Sequence, residues 1–188
     1  MLNQNEAARR LSPQRLAARH IPAGAEQRPA GTPATPAMTN TAPPCLADIK
    51  RAACVGGGVI GSSWAIQFAM RGLAVTLYDI NDEQLKRSEA QMHKSLDALE
   101  QFNAITPERR GEIVAAIRLT TSMEEAVADA QFIQESGPER LEIKQSILAQ
   151  VEACAAADAL YASSTSGLVL DDIAAKAAHP ERCVGCLL

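Results

Sequence analysis

The residues best suited to chemistry in this chain lie in "CVGGGVIGSSWAIQFAMRGLAVTLYD", residues 54–79. Gly56, Gly58 and Gly61 satisfy G-x-G-x-x-G, and Asp79 follows the first of them by 23 positions. Each residue type has a task at that spacing. The first glycine permits a tight turn out of a strand, the second lets the backbone approach a pyrophosphate, and the third lets a helix pack closely on a sheet. A helix beginning at Val59 and Ile60 offers free N–H groups and a positive dipole end to phosphates. A carboxylate at position 79 would close the next strand, where it accepts hydrogen bonds from ribose 2′- and 3′-hydroxyls and repels a 2′-phosphate. Ile80 and Asn81 supply no arginine for such a phosphate, so NAD is expected over NADP. The plainer alternative is a β–α turn with Asp79 serving only as a cap for the following helix. Strand, loop, helix, strand and acid in succession favour the cradle.

The elements that must position these residues alternate. Short apolar segments at 51–55, 74–79, 117–121, 131–135, 159–163 and 183–188 read as strands. Helices are expected over 59–71, ending at Gly72, over 81–102, from Thr106-Pro107 onward, over 123–130, 139–156 and 170–178. Leu85, Ser88, Met92, Leu96 and Leu99 share one face of the long helix. Ser122 with Glu125 reads as a capping box. Strands separated by helices imply βαβ units, hence an α/β, Rossmann-type doubly wound parallel sheet. A helical pair over about 81–116 is expected to project from it.

Composition bounds the rest. The chain has 188 residues, 47% hydrophobic but only 3% aromatic, so the core must be aliphatic. A net charge of −4 argues against nucleic acid as the main partner. No apolar run reaches the length needed to span a membrane. Residues 1–47 hold seven of the ten prolines and no usable period, which predicts a disordered tail ahead of an ordered domain over 48–188. The first twenty residues are Arg-rich like a transit peptide, while Met38 offers an alternative start with a more usual run-in to the first strand. Five scattered cysteines, Cys45, Cys54, Cys154, Cys183 and Cys186, show no framework spacing, and reduced thiols in a cytoplasmic protein are expected. Cys183-x-x-Cys186 has no second pair, and on a strand its side chains would point to opposite faces, so no metal is expected.

"GGGVIGSSWAIQFAMRGLAVTLYDI", "FIQESGPERLEIKQSILAQV" and "ASSTSGL…HPER" together resemble the NAD-binding domain of the 3-hydroxyacyl-CoA dehydrogenases. Within that family they look most like the branch with λ-crystallin (L-gulonate 3-dehydrogenase) and bacterial L-carnitine dehydrogenase. The resemblance covers about residues 50–185 and implies oxidation of a secondary alcohol at C3 by hydride transfer to NAD. It implies that Glu139 and Lys144 sit at the cofactor near its nicotinamide end, and that Ser166 meets the reacting oxygen of the substrate. It also matches Ser95 to a helical serine that touches CoA. The residues alone allow plainer roles: Glu139 favours a helix start, Lys144 reads as a solvated helix position, and "SSTSG" reads as a polar turn. Phe102 stands where the acyl-CoA members carry a lysine, which leans the substrate from a CoA thioester toward a small free 3-hydroxy acid.

In the family a histidine base follows the last strand, with a glutamate partner and a helical C-terminal domain that builds a homodimer. Position 187, where that histidine is expected, is leucine, and His20, His93 and His179 lie elsewhere. The expectation is therefore a chain cut short before its base and C-terminal domain, inactive by itself. A non-catalytic NAD-binding remnant is the alternative, and an FAD enzyme on the same fold a third.

Overall fold

The structure is a computed structural model and describes residues 48–186. The expected tail over residues 1–47, the alternative start at Met38, His20, Cys45 and the final two leucines lie outside the described residues.

Six strands form one parallel sheet: β1 (Arg51–Val55), β2 (Ala74–Tyr78), β3 (Ile117–Thr120), β4 (Phe132–Glu135), β5 (Leu160–Ser163) and β6 (Cys183–Gly185). Their spatial order is β3-β2-β1-β4-β5-β6, every neighbouring pair parallel. Parallel strands need crossovers, and the intervening helices supply them: α1 (Val59–Met70), α2 (Asp82–Gln101), α3 (Pro107–Ala115), α4 (Met123–Val127), α5 (Leu141–Cys154) and α6 (Leu170–Ile173). The chain winds outward in both directions from β1, so strand order reverses between β1 and β4. A crevice at the carboxyl ends of the strands is the usual consequence of such a reversal.

Both faces are covered, as the near-continuous apolar strands require. Cys54, Val75 and Leu77 pack with Ala65, Ile66 and Ala69 of α1 and with Met92, Leu96 and Ile113. On the other face Ala53, Val55, Ile133 and Tyr161 pack with Ala126, Val127, Leu148, Val151 and Ile173. The α2–α3 pair is inserted between β2 and β3 as expected, and its inner face is covered. Leu96 and Ile113 are almost wholly buried in the same cluster as Leu77, because the apolar stripe of α2 has α1 and β3 beside it.

Local signals placed most of the ends. Asn81 caps α2 by accepting from the Gln84 N–H at 2.9 Å, and Thr106 caps α3 ahead of Pro107. Gly72 takes φ +83° after α1. Ser122 accepts from the Glu125 N–H, but the Glu125 carboxylate turns to the Thr120 hydroxyl at 2.8 Å, so only half of the capping box forms. The helix expected over 170–178 stops at Ile173. Beyond it the Ala175 and Ala177 N–H groups bond the carbonyls three residues back, those of Asp172 and Ala174. The N–H groups of Ala178 and His179 donate to Glu152, and Pro180 bars helical geometry at His179. No helix among the described residues is long and apolar enough to cross a membrane.

Candidate functional site

Four loops leave the carboxyl ends of β2, β1, β4 and β5, in that spatial order. They carry Asp79, the glycines, residues 136–139 and residues 164–167. Neighbouring strands lie about 4.8 Å apart, so this row is about 14 Å long from β2 to β5. Backbone bonds hold the loop roots in line: Gly56 N–H to Tyr78 O, Ser136 N–H to Val55 O, and Ser164 N–H to Glu135 O.

The glycines are needed for three different physical reasons. Gly56 has φ +96°, which L side chains rarely adopt, and a Cβ there would press on the Ser136 carbonyl at 2.9 Å. A Cβ on Gly61 would fall inside contact distance of the Gly56 carbonyl oxygen, so the first turn of α1 lies directly against the loop. Gly58 is different: a Cβ there would meet nothing within 4 Å. Packing therefore does not require a glycine at 58, and the open space over it is where a pyrophosphate could approach. Gly57 was not singled out from the sequence, yet a Cβ there would strike Ser88 of α2. No pattern within the loop could reveal that, because Ser88 arrives from another element.

The rest of the cradle is consistent with a dinucleotide. Val59 and Ile60 are exposed at the start of α1, whose N-cap Gly58 has no side chain to satisfy the first N–H groups. Asp79 is half-buried. Its Oδ2 accepts from the Gly57 N–H at 2.8 Å and its Oδ1 from the Ile80 N–H at 2.7 Å. Each carboxylate oxygen retains a lone pair that a ribose hydroxyl could use. These backbone bonds also show that Asp79 braces the glycine loop, a role beyond capping α2, where Asn81 is the cap.

Glu139, Lys144 and Ser166 come together at the other end of the row. Glu139 does not start a helix; α5 begins at Leu141. Its Oε1 accepts from the Thr165 hydroxyl (2.8 Å), the Ser166 N–H (2.8 Å) and the Gly167 N–H (2.9 Å). The Ser166 hydroxyl is exposed at the tip of this loop. Lys144 is not solvated: it has no exposed surface, and its Nζ lies 2.9 Å from Glu135 and 3.5 Å from Glu139. The spacing Leu141, Lys144, Leu148, Val151 already puts it on the inner stripe of α5, where a charge demands a buried partner. That partner, Glu135, ends an apolar strand and was missed.

The Gly167 N–H above all, then the Thr165 hydroxyl, the Ser166 N–H and the charge of Lys144, outweigh partial desolvation and hold the Glu139 carboxyl at about 2. A depressed folded pKa contributes stability above the ordinary carboxyl value, and that stability is lost as pH falls through the folded one. The gap in Tm between wild type and Glu139→Gln is therefore expected to be full above about pH 5 and to close toward pH 2. Thermal unfolding followed at a series of pH values measures it; a gap independent of pH would contradict this clamp.

The remaining sequence candidates lie apart. Ser95 sits on α2, about 20 Å along the helix from its start, and its hydroxyl donates to the Gln91 carbonyl at 3.1 Å. With Ser63, Ile66, Leu99 and the exposed Phe102 it lines a groove of about 310 Å³ between α1 and α2. His93 faces Arg110 at 3.3 Å and His179 faces Glu181 at 3.3 Å; neither accompanies Ser166. Cys183 approaches the His179 carbonyl, and no metal-holding cluster of His, Cys, Asp and Glu exists among the described residues. Cys54 is buried beneath α1, which pushes its thiol pKa far up and leaves it inert.

Comparison with known proteins agrees with this arrangement. The chain is 40% identical over 154 residues to L-carnitine dehydrogenase from Streptomyces griseus, covering 81% of this chain and 45% of that enzyme. It is 40% identical over 139 residues to L-carnitine dehydrogenase from Pseudomonas syringae, covering 74% and 42%. The chain thus spans less than half the length of these relatives. Its fold superposes on 3-hydroxybutyryl-CoA dehydrogenase from Escherichia coli with a TM-score of 0.71 at 28% identity, over 75% of this chain and 30% of that one. For (S)-3-hydroxybutyryl-CoA dehydrogenase from Ralstonia eutropha the TM-score is 0.72 at 26% identity, over 75% and 50%. Residues 51–186 match the NAD-binding domain of 3-hydroxyacyl-CoA dehydrogenase, and the chain belongs to that family.

Proposed function

We propose that residues 48–188 form the NAD-binding domain of a dehydrogenase that oxidises a secondary alcohol at C3 of a small 3-hydroxy acid, with residues 1–47 outside that domain. The observation that carries this reading is the open space over Gly58, flanked by an uncapped helix start on one side and the Asp79 carboxylate on the other. In this reading the N–H groups at Val59 and Ile60 face the pyrophosphate, and Asp79 receives the ribose hydroxyls. Gly56 and Gly61 shape the loop. NAD, when bound, supplies the hydride acceptor. Glu139 holds the 165–167 loop, and the Ser166 hydroxyl at its tip donates to the substrate's reacting oxygen. Lys144 stands behind Glu139.

A free 3-hydroxy acid is favoured over its CoA thioester because the L-carnitine dehydrogenases stand at 40% identity, and because the exposed ring of Phe102 offers no charge to a CoA phosphate. Ser95 would then line an apolar groove rather than hold CoA. The free thiols among the described cysteines fit a cytoplasmic location. A homodimer belongs to the full-length family and is part of this proposal for the whole protein.

Removal of the hydroxyl proton needs a base near working pH, ordinarily histidine. Among the described residues the histidines, His93 and His179, bond Arg110 and Glu181 and not the 165–167 loop, so we assign the described residues cofactor binding and substrate orientation without turnover by themselves. The same placement favours a second reading, a non-catalytic NAD-binding protein.

Calorimetric titration with NADH is expected to show micromolar binding, with NADPH much weaker. Asp79→Ala, which removes two ribose contacts and the brace on Gly57, should weaken NADH at least about 30-fold. A folded protein that binds neither nucleotide would refute the cofactor assignment. Turnover of 3-hydroxy acids after addition of a histidine-bearing partner chain separates the dehydrogenase from the non-catalytic reading.

A further inference from the structure

The amino end of the sheet carries a second concave site, about 16 Å from the glycine loop along β1. Helix α4 is too short to cover that end. It stops at Val127, and the side chains laid there by it and the chain after it, those of Ala126 and Ala130, are small. A cavity of about 290 Å³ remains, floored by these two alanines with the buried Ala52 and Val75.

Three polar side chains of the sheet line it: Arg51, Thr76 and Arg118. They share one face, because Ala53 pairs with Thr76, Thr76 pairs with Arg118, and Arg51 lies two residues from Ala53. The arginines are rooted two strands apart, roughly 10 Å across the sheet, with Thr76 between them. Each guanidinium is pinned by one bond to the segment overhead: Arg51 Nε donates to the Asp129 carbonyl at 2.8 Å and Arg118 Nη2 to the Glu125 carbonyl at 2.7 Å. Among the described residues the Nη groups of Arg51, the Thr76 hydroxyl and the Asp129 carboxylate have no partner. Arg118 Nη1 reaches Glu125 Oε2 only at 3.9 Å, and that oxygen already accepts from the Thr120 hydroxyl at 2.8 Å. The cavity is thus lined by two guanidiniums and two carboxylates that do little to neutralise one another.

We propose that this cavity binds a small apolar α-amino acid as its zwitterion. The ligand's carboxylate meets the free Nη groups of Arg51 and Arg118, whose planar forks suit it. Its ammonium meets Asp129, and its side chain lies on the alanine floor. A lining with equal numbers of cations and anions is satisfied by a ligand bearing one charge of each sign, and opposes a phosphate or a dicarboxylate. Guanidiniums already fixed by backbone bonds lower the ordering cost of binding. The site shares no residue with the cofactor row and stands independently of the NAD reading.

The test is a set of NMR titrations with three probes of one shape: L-valine, 3-methylbutanoate, which lacks the ammonium, and isobutylamine, which lacks the carboxylate. L-valine is expected to bind the wild type saturably with a millimolar Kd, the range open to a ligand of so few atoms. The other two should bind at least about tenfold more weakly, each having lost one charge-assisted contact. Asp129→Asn keeps the carbonyl that holds Arg51, so its Tm should stay within about 2 °C of wild type. It is expected to weaken L-valine at least about tenfold while leaving 3-methylbutanoate within about twofold. Arg51→Gln should weaken both, a pattern that loss of stability alone would not divide between the two variants. The proposal is overturned by 3-methylbutanoate binding as tightly as L-valine, by variants that bind L-valine like the wild type, or by no saturable binding at about 50 mM.

Discussion

Gly58→Ala is expected to leave the fold intact and abolish NADH binding, while Gly61→Ala unfolds the same loop. The two substitutions add the same methyl group three residues apart. At Gly58 the backbone φ is −61°, which alanine adopts freely, and the new Cβ meets no protein atom. Tm should therefore stay within about 2 °C of wild type. The methyl would occupy the space assigned to the pyrophosphate, so binding should fall beyond about 100-fold, or some 3 kcal/mol. At Gly61 the methyl meets the Gly56 carbonyl, a backbone atom that cannot rotate away. Separating α1 from the loop is expected to cost about 3 kcal/mol or more, the upper range for overpacking. Thermal unfolding and NADH titration on both variants decide the matter. If Gly58→Ala binds NADH normally, the space over residue 58 is not the pyrophosphate site.

Lys144→Met is expected to be among the most destabilising single changes in the domain. It leaves Glu135 wholly buried without its counter-ion, and breaking a buried pair from one side costs about 3–5 kcal/mol. For a domain of this size that corresponds to a fall in Tm of about 10–15 °C. Adding Glu135→Gln to the same chain should restore most of it, because the amide still accepts from the Gly137 N–H and no unpaired charge remains. Non-additivity of this kind is the signature of a direct pair. Equal Tm values for wild type and Lys144→Met would mean that the pair is not formed as described.

The glycine loop and the helix caps at Asn81 and Thr106 were legible because each is a local pattern, in which neighbours in the chain are also neighbours in space. Asp79, 22 positions from Gly57, was legible because the strand–loop–helix–strand order carries it there. The parallel sheet was legible for a related reason: strand and helix periods alternate, and that alternation permits few topologies. The plainer alternative for Lys144, a solvated helix position, failed because a helix shows its inner face only once something lies against it. Glu135 was overlooked for the same reason, since the Ser163 that it bonds lies 28 positions away in the chain and meets it only through the β4–β5 register. Gly57 needed Ser88 from α2, and α6 was overextended because the chain after Ile173 turns tighter, with Ala175 and Ala177 bonding carbonyls three residues back, before Glu152 on α5 holds Ala178 and His179.

By itself the sequence determined the fold class, the NAD-binding domain and the family, since these rest on the alternation of strand and helix along the chain and on motifs that keep their order in it. Only the tertiary structure decided which glycine is spared by packing, which carboxylate holds the 165–167 loop, and where the buried lysine finds its charge. Those outcomes depend on strand order and register, which bring β1, β4 and β5 side by side and which no local period encodes.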